Sequence, residues 1–249
     1  MNDLIEKLKS ISKRPDVVDI HSKVLFLSVP RSGSTYLCDV VSQLGLIGQP
    51  EEWLNPAYIV ELPPQIIDVK NTDSIFQFFD FIMKKSASPN GIFSLNLHLS
   101  SYEWWLRNGW NWIELIDFDF IYFIYRKDKY AQAYSYAIAH SKNEWRRTEQ
   151  IVKVENVDDI QFHNILQFLT TILNLEHSYE QNLQQLARRE FAYEDFSSNI
   201  EETIHSIGKD LQVDISNIPK SNLQIQRKGY TQEQLVQFRT FMQAKLKNL

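Results

Sequence analysis

Glycine is scarce in this chain: seven residues in 249. A backbone with so few conformationally free positions is mostly regular structure. Cysteine is scarcer still. The single Cys38 excludes an intramolecular disulfide and any Cys-based metal cluster, and it predicts a reducing, cytoplasmic setting. Long apolar runs are missing. The longest, residues 24–29 and 121–125, are far too short to span a bilayer, so no integral membrane segment is expected. Residues 1–14 carry Asp3, Glu6, Lys7 and Lys9, and therefore lack the apolar centre of a secretion signal. Nor is there an excess of basic residues. Twenty-six Lys and Arg against 31 Asp and Glu leave a formal net charge of −5, which argues against a dedicated nucleic-acid binder but not against a local anion site. The six histidines show no metal-ligand spacing, so no metal is expected.

What remains is an ordinary globular composition, 43% apolar and 23% charged, at the size of one large domain. The expected organisation is a short N-terminal helix over 1–14, a core over about 22–230 and a terminal helix over about 231–248. Three of the seven glycines, Gly33, Gly45 and Gly48, fall within sixteen residues. Such a cluster marks backbone that must approach something closely.

Residues 24–29 are a continuous β-prone run, as expected of a strand covered on both faces in a parallel sheet. Pro30 to Thr35 interrupts it. Leu37, Val40, Val41 and Leu44 then follow helical spacing, stopped by Gly45. Strand, glycine-containing polar loop and helix is the architecture of a phosphate-binding turn. Further helices are predicted over 73–85, 129–141 and, as the longest, 158–189. Strands are predicted over 92–97, 118–125 and 191–193. Ser198-x-x-Glu201 and Thr231-x-x-Gln234 should open the last two helices. This alternation predicts an α/β, P-loop-like three-layer fold with a largely parallel central sheet flanked by helices.

Four constellations could carry chemistry. In Ser28-Val29-Pro30-Arg31-Ser32-Gly33-Ser34-Thr35, the helix start offers N–H groups without internal partners, and Gly33 lets backbone wrap an anion. Ser32, Ser34 and Thr35 add hydroxyl donors, and Arg31 adds a permanent, multidentate charge. The Walker lysine is absent. The plain alternative is a helix capped by a serine-rich turn. Next, Pro50-Glu51-Glu52 sets two adjacent carboxylates after a stiff proline. In extended backbone only one can face a pocket, and solvated surface acids are the alternative. Third, Arg126-Lys127-Asp128 ends a buried strand, where ligands bind in open α/β sheets. Ser135, nine residues on, could converge with Arg126 on one anion; the alternative is an Arg126–Asp128 ion pair. Fourth, Gln226-Arg227-Lys228-Gly229 is a basic turn before the terminal helix, or a solvated charge cluster.

Together these elements resemble the nucleotide-dependent sulfotransferases, most closely the bacterial trehalose 2-sulfotransferase-like family. The likeness rests on Pro30-Arg31-Ser32-Gly33-Ser34-Thr35-Tyr36-Leu37-Cys38 followed by Gly45-x-x-Gly48-x-Pro50-x-Glu52. It continues through Pro89-Asn90-Gly91-Ile92-Phe93, Arg126-x-Asp128-x-x-x-Gln132-Ala133-x-Ser135 and Tyr193-Glu194-Asp195-Phe196, in family order over about 24–230. The resemblance implies 3′-phosphoadenosine 5′-phosphosulfate as co-substrate, without metal. Arg31, Ser32, Gly33, Ser34 and Thr35 would cradle the 5′-phosphosulfate, with Arg31 neutralising the departing phosphate. Arg126 and Ser135 would hold the 3′-phosphate, and Arg227, Lys228 and Gly229 look like a basic turn on the same group. Glu52 matches the family's proposed general base. The acceptor would be a small-molecule or glycan hydroxyl, on a carbohydrate or glycolipid.

Two departures stand out. Ser94-Leu95-Asn96-Leu97 replaces the common Gly-x-Lys-Leu, and Asn222-Leu223-Gln224 replaces Arg-Gln-Ala. They keep open a nucleotide-binding protein of this fold without turnover. A P-loop kinase or nucleotide hydrolase is the other alternative, weakened by the absent lysine. Cys38 is expected as a small buried hydrophobe. His98 is expected as a structural histidine, with lining of the acceptor side as the alternative. Trp104, Trp105, Trp110 and Trp112 are expected in core or homodimer packing, or stacked on sugar rings. Glu51 is expected to point to solvent.

Overall fold

The computed structural model describes residues 3–142, 162–221, 223 and 231–246. Four strands form one all-parallel sheet: β1 (Ser22–Ser28), β2 (Ile92–His98), β3 (Phe120–Tyr125) and β4 (Arg189–Ala192), in the order β2-β1-β3-β4. In β1 alternate side chains enter opposite faces, and both faces are apolar, which is why the run reads as continuous. Val24 and Phe26 pack with Tyr122 and Ile124 under α2 (Ser34–Leu44) and α10 (Ile200–Leu211), through Leu37, Val40, Val41, Ile204 and Ile207. Leu25 and Leu27 face the other way. That side joins Phe93, Leu95 and Phe123 to α4 (Thr72–Ser86), α5 (Leu99–Arg107), α7 (Lys129–Lys142) and α8 (Phe162–Asn182). Helix, sheet, helix is the three-layer α/β arrangement.

The remaining helices are α1 (Asp3–Ser12), α3 (Pro56–Ile59), α6 (Trp112–Ile116), α9 (Tyr193–Phe196) and α11 (Gln232–Leu246). No helix among the described residues is long and apolar enough to cross a membrane. Trp105 and Trp112 are buried in the core, and Trp105 Nε1 donates to the Leu54 carbonyl at 2.7 Å. Trp104 and Trp110 pack around them edge-on or stacked. Core packing therefore accounts for the tryptophan cluster.

Three expectations need correction. The helix predicted over 158–189 stops at Asn182, is followed by a short 3-10 turn over Gln184–Leu186, and yields to β4 at Arg189; residues 158–161 lie outside the described residues. Leu186 is 46% exposed, so nothing holds the last apolar turn. The open edge of β3 instead recruits the chain, beginning with the Arg188 N–H donated to Ile121 at 2.7 Å. Tyr193 opens α9 rather than closing a strand. Asn199, not Ser198, caps α10, accepting from the Glu202 N–H at 3.3 Å. Thr231 and Gln234, by contrast, form the expected reciprocal cap of α11.

One ion pair ties α10 to the sheet. Asp210, 3% exposed at its side chain, accepts two bonds from Arg189 at 2.6 and 2.7 Å and one from the Tyr122 hydroxyl at 3.3 Å. The Arg189 hydrogen bond holds the Asp210 carboxyl below its ordinary range, against the opposing effect of burial. A depressed carboxyl contributes stability that is complete above its unfolded value and is lost as pH falls through its folded value. Asp210→Asn is expected to lower stability at pH 7 by about 1.5–3 kcal/mol. In urea unfolding the deficit should shrink as the pH is taken well below about 4.

Candidate functional site

The loop between β1 and α2 is built on two left-handed residues, Arg31 at φ 64° and Gly33 at φ 85°. Glycine adopts that conformation freely, whereas arginine carries strain that the surroundings must hold in place. Two contacts from α7 do so. Gln132 Nε2 donates to the Pro30 carbonyl at 2.8 Å, and Arg31 Nε donates to Ser135 Oγ at 3.1 Å. From the other side, the Tyr193 ring lies so close that a Cβ on Gly33 would come within 2.4 Å of it. Gly33 is also the N-cap of α2 and supplies no side-chain acceptor. The N–H groups of Ser34 and Thr35, with the partial positive charge of the helix start, therefore have no side-chain cap from Gly33, an arrangement that can bind an anion. Ser34 and Thr35 lie in that first turn.

Ser135 was expected beside Arg126; the structure ties it to Arg31 instead. Arg126 follows β3 and lies 3.6 Å from Glu194 Oε1, with its guanidinium 4.8 Å from the centre of the Tyr193 ring. The alternative Arg126–Asp128 pair does not form. Asp128 caps α7 through the Ala131 N–H at 2.9 Å and pairs with Arg239 at 2.6 Å. Arg227, Lys228, Gly229, Asn222 and Gln224 lie outside the described residues.

The two adjacent glutamates diverge, as extended backbone requires. Glu52 is 13% exposed and accepts from Asn55 Nδ2 at 2.8 Å. Its other oxygen stands 3.7 Å from His98 Nε2, which itself lies 3.4 Å from Ser34 Oγ. Glu51 turns away, but not to solvent: it pairs with Lys7 of α1 at 2.8 Å. Their segment lies along β2, where the Glu51 carbonyl accepts from the Asn96 N–H at 3.2 Å. Gly48 makes this approach possible, because a Cβ there would sit 2.8 Å from the Ser94 backbone nitrogen.

His98 and the Tyr193-Glu194 pair are the residues that sequence reasoning undervalued. His98 ends β2 directly opposite Ser28, a register that only the folded sheet supplies. Cys38 is buried in α2, as expected of a small hydrophobe. Within the site, Ser32 Oγ and Arg126 Nε are both buried without a hydrogen-bond partner among the described residues. Buried donors rarely stay unpaired in a working site. One lies at each candidate anion position, which fits a ligand carrying two separated anionic groups.

No protein-family model matches the chain, and no curated protein sequence matches it.

Gly45 and Gly48 provide a test of the close approach at β2. Both have positive φ, 69° and 75°, but nothing lies within 4 Å of a Cβ at Gly45. Gly48→Ala should therefore cost about 1–3 kcal/mol more than Gly45→Ala in urea unfolding. Equal costs would mean that segment 48–52 does not press on β2.

Proposed function

We propose that this chain is a sulfotransferase, moving the sulfuryl group of 3′-phosphoadenosine 5′-phosphosulfate to a hydroxyl of a carbohydrate or glycolipid acceptor. The observation that carries the reading is the row Glu52, His98, Ser34, at 3.7 and 3.4 Å, running from a carboxylate to the uncapped start of α2. It brings a proton acceptor to the end of an anion-binding loop whose own charged side chain is an arginine. A reducing, cytoplasmic setting suits the single, buried cysteine.

Two anionic ends of the nucleotide ask for two sites. Arg31, Ser32, Gly33, Ser34 and Thr35 would cradle the 5′-phosphosulfate, while Arg126 would hold the 3′-phosphate. Ser135 fixes Arg31 through its hydroxyl, so its effect on the nucleotide runs through Arg31. The buried, unpartnered Ser32 Oγ and Arg126 Nε support this division. The group supplied by the nucleotide is an activated sulfuryl on a phosphate leaving group.

In the transfer, a bond forms from the acceptor oxygen to sulfur as the bond from sulfur to the bridging phosphate oxygen breaks. The breaking bond's electron pair leaves on the phosphate, where Arg31 and the first N–H groups of α2 neutralise it. The acceptor proton goes to Glu52, and Asn55 and His98 keep that carboxylate turned toward the loop. Positioning and charge stabilisation do most of the work, as in phosphoryl transfer.

Adenosine 3′,5′-bisphosphate is expected to raise the melting temperature clearly, since a ligand at 100 times its Kd adds about 2.7 kcal/mol. Equal or better stabilisation by ATP with Mg²⁺ would favour the kinase or hydrolase alternative. Glu52→Gln should retain nucleotide affinity while turnover falls about 10²–10⁴-fold. Glu51→Gln breaks the Lys7 pair and should leave turnover at the wild-type level. Normal turnover in Glu52→Gln would remove Glu52 as the base. Tight bisphosphate binding with no turnover across a broad acceptor screen would instead favour a binding protein of this fold.

A further inference from the structure

The corner that follows β4 places a carboxylate against the strand end that carries Arg126. Glu194 Oε2 accepts from the Lys127 N–H at 2.9 Å, and Oε1 accepts from the Asp128 N–H at 3.1 Å. Oε1 also lies 3.6 Å from Arg126 Nε. One side chain thus fixes three consecutive residues immediately after β3. Its neighbours strengthen the hold. Asp195 pairs with Lys127 Nζ at 2.6 Å, and the Tyr193 ring packs against both Gly33 and the Arg126 guanidinium.

We propose that Glu194 is a positioning residue for Arg126, holding its guanidinium charge-balanced and aimed at the 3′-phosphate; this rests on the sulfotransferase reading above. A largely buried arginine, here 13% exposed, needs a nearby counter-charge when no ligand is bound. Glu194 supplies it from beyond hydrogen-bonding distance, so the charge is balanced while Arg126 Nε stays unbonded. Each carboxylate oxygen is already engaged by a main-chain N–H, which restrains Glu194 from closing on Arg126 as a rigid bidentate pair. The guanidinium donors are therefore left for an incoming phosphate.

Two opposite consequences follow from removing the Glu194 charge, and they decide the matter. If Glu194 merely competes with the phosphate for Arg126, its loss must tighten nucleotide binding. If it organises Arg126, its loss must weaken binding, and only for nucleotides that carry the 3′-phosphate.

The test is calorimetric titration of the full chain with adenosine 3′,5′-bisphosphate and with adenosine 5′-monophosphate. The proteins are wild type, Glu194→Gln, Arg126→Ala and the double variant. Glu194→Gln is expected to weaken bisphosphate binding about tenfold, the lower end of the cost of losing an outer-layer partner at metal sites. Monophosphate affinity should not change, and in the Arg126→Ala background Glu194→Gln should add nothing. Glu194→Asp keeps the charge but shortens the reach, so it should lose discrimination in the same way. It also serves if the glutamine variant folds poorly. Tighter bisphosphate binding in Glu194→Gln, equal loss for both nucleotides, or effects additive with Arg126→Ala would each overturn the proposal. Should wild type itself fail to prefer the bisphosphate, the sulfotransferase reading falls and the proposal with it. A retained preference that Glu194 substitutions do not alter removes the proposal alone.

Discussion

The carboxyl end of β1 is where two of the chain's crossovers part. From β1 the backbone turns into α2 on one face of the sheet, and from the adjacent β3 it turns into α7 on the other. The gap between the two strand ends is where open α/β sheets take their ligands. The register aligns what lines that gap. Ser28 is level with His98 on one side and with Ile124 on the other. The loop from 29 to 33, His98 and Arg126 therefore emerge at nearly the same height. Every other feature of the site is a means of holding these emergent groups in place.

The hold comes from both layers. Gln132 and Ser135 reach down from α7 to a carbonyl and an arginine of the loop, and Tyr193 presses from the β4 corner onto Gly33. A left-handed arginine persists only where such contacts over-determine the backbone, and the strain is of order 1–3 kcal/mol. On the proposed reading, the loop is already shaped for an anion before one arrives. Less ordering is then left to be done on binding.

Much of this arrangement could be read in the sequence, and the reasons are local. The all-apolar β1 run, the switch to helical spacing after Gly33 and the reciprocal cap at Thr231 each depend on neighbours a few residues apart. So does the divergence of Glu51 and Glu52, which follows from extended backbone alone. What sequence could not supply were contacts set by strand order. The end of the long helix was misplaced because it is the free edge of β3, not any breaker residue, that draws residues 189–192 into a strand. Glu51 was expected in solvent because its partner Lys7 is 44 residues away. Ser135 meets Arg31 rather than Arg126 because α7 leans over the loop that precedes it by a hundred residues. Tyr193 and Glu194 had only a short, common-looking motif to mark them, although β4 carries them straight into the gap.

On the proposed reading, charge balance lets a chain of net charge −5 keep a local anion site. Four cations near the strand ends are each matched by a carboxylate: Arg239 by Asp128, Lys127 by Asp195, Lys129 by Glu176, and Arg126 by Glu194. Two of these acids have a second duty. Asp128 caps α7, and Glu194 accepts from main-chain N–H groups. Burial raises the Glu176 carboxyl, and the Lys129 hydrogen bond acts against that rise. Acids fixed in this way neutralise the folded, ligand-free molecule but are restrained from following a cation that turns toward a ligand. An excess of acidic residues over the whole chain is compatible with a local anion site because charge acts through position.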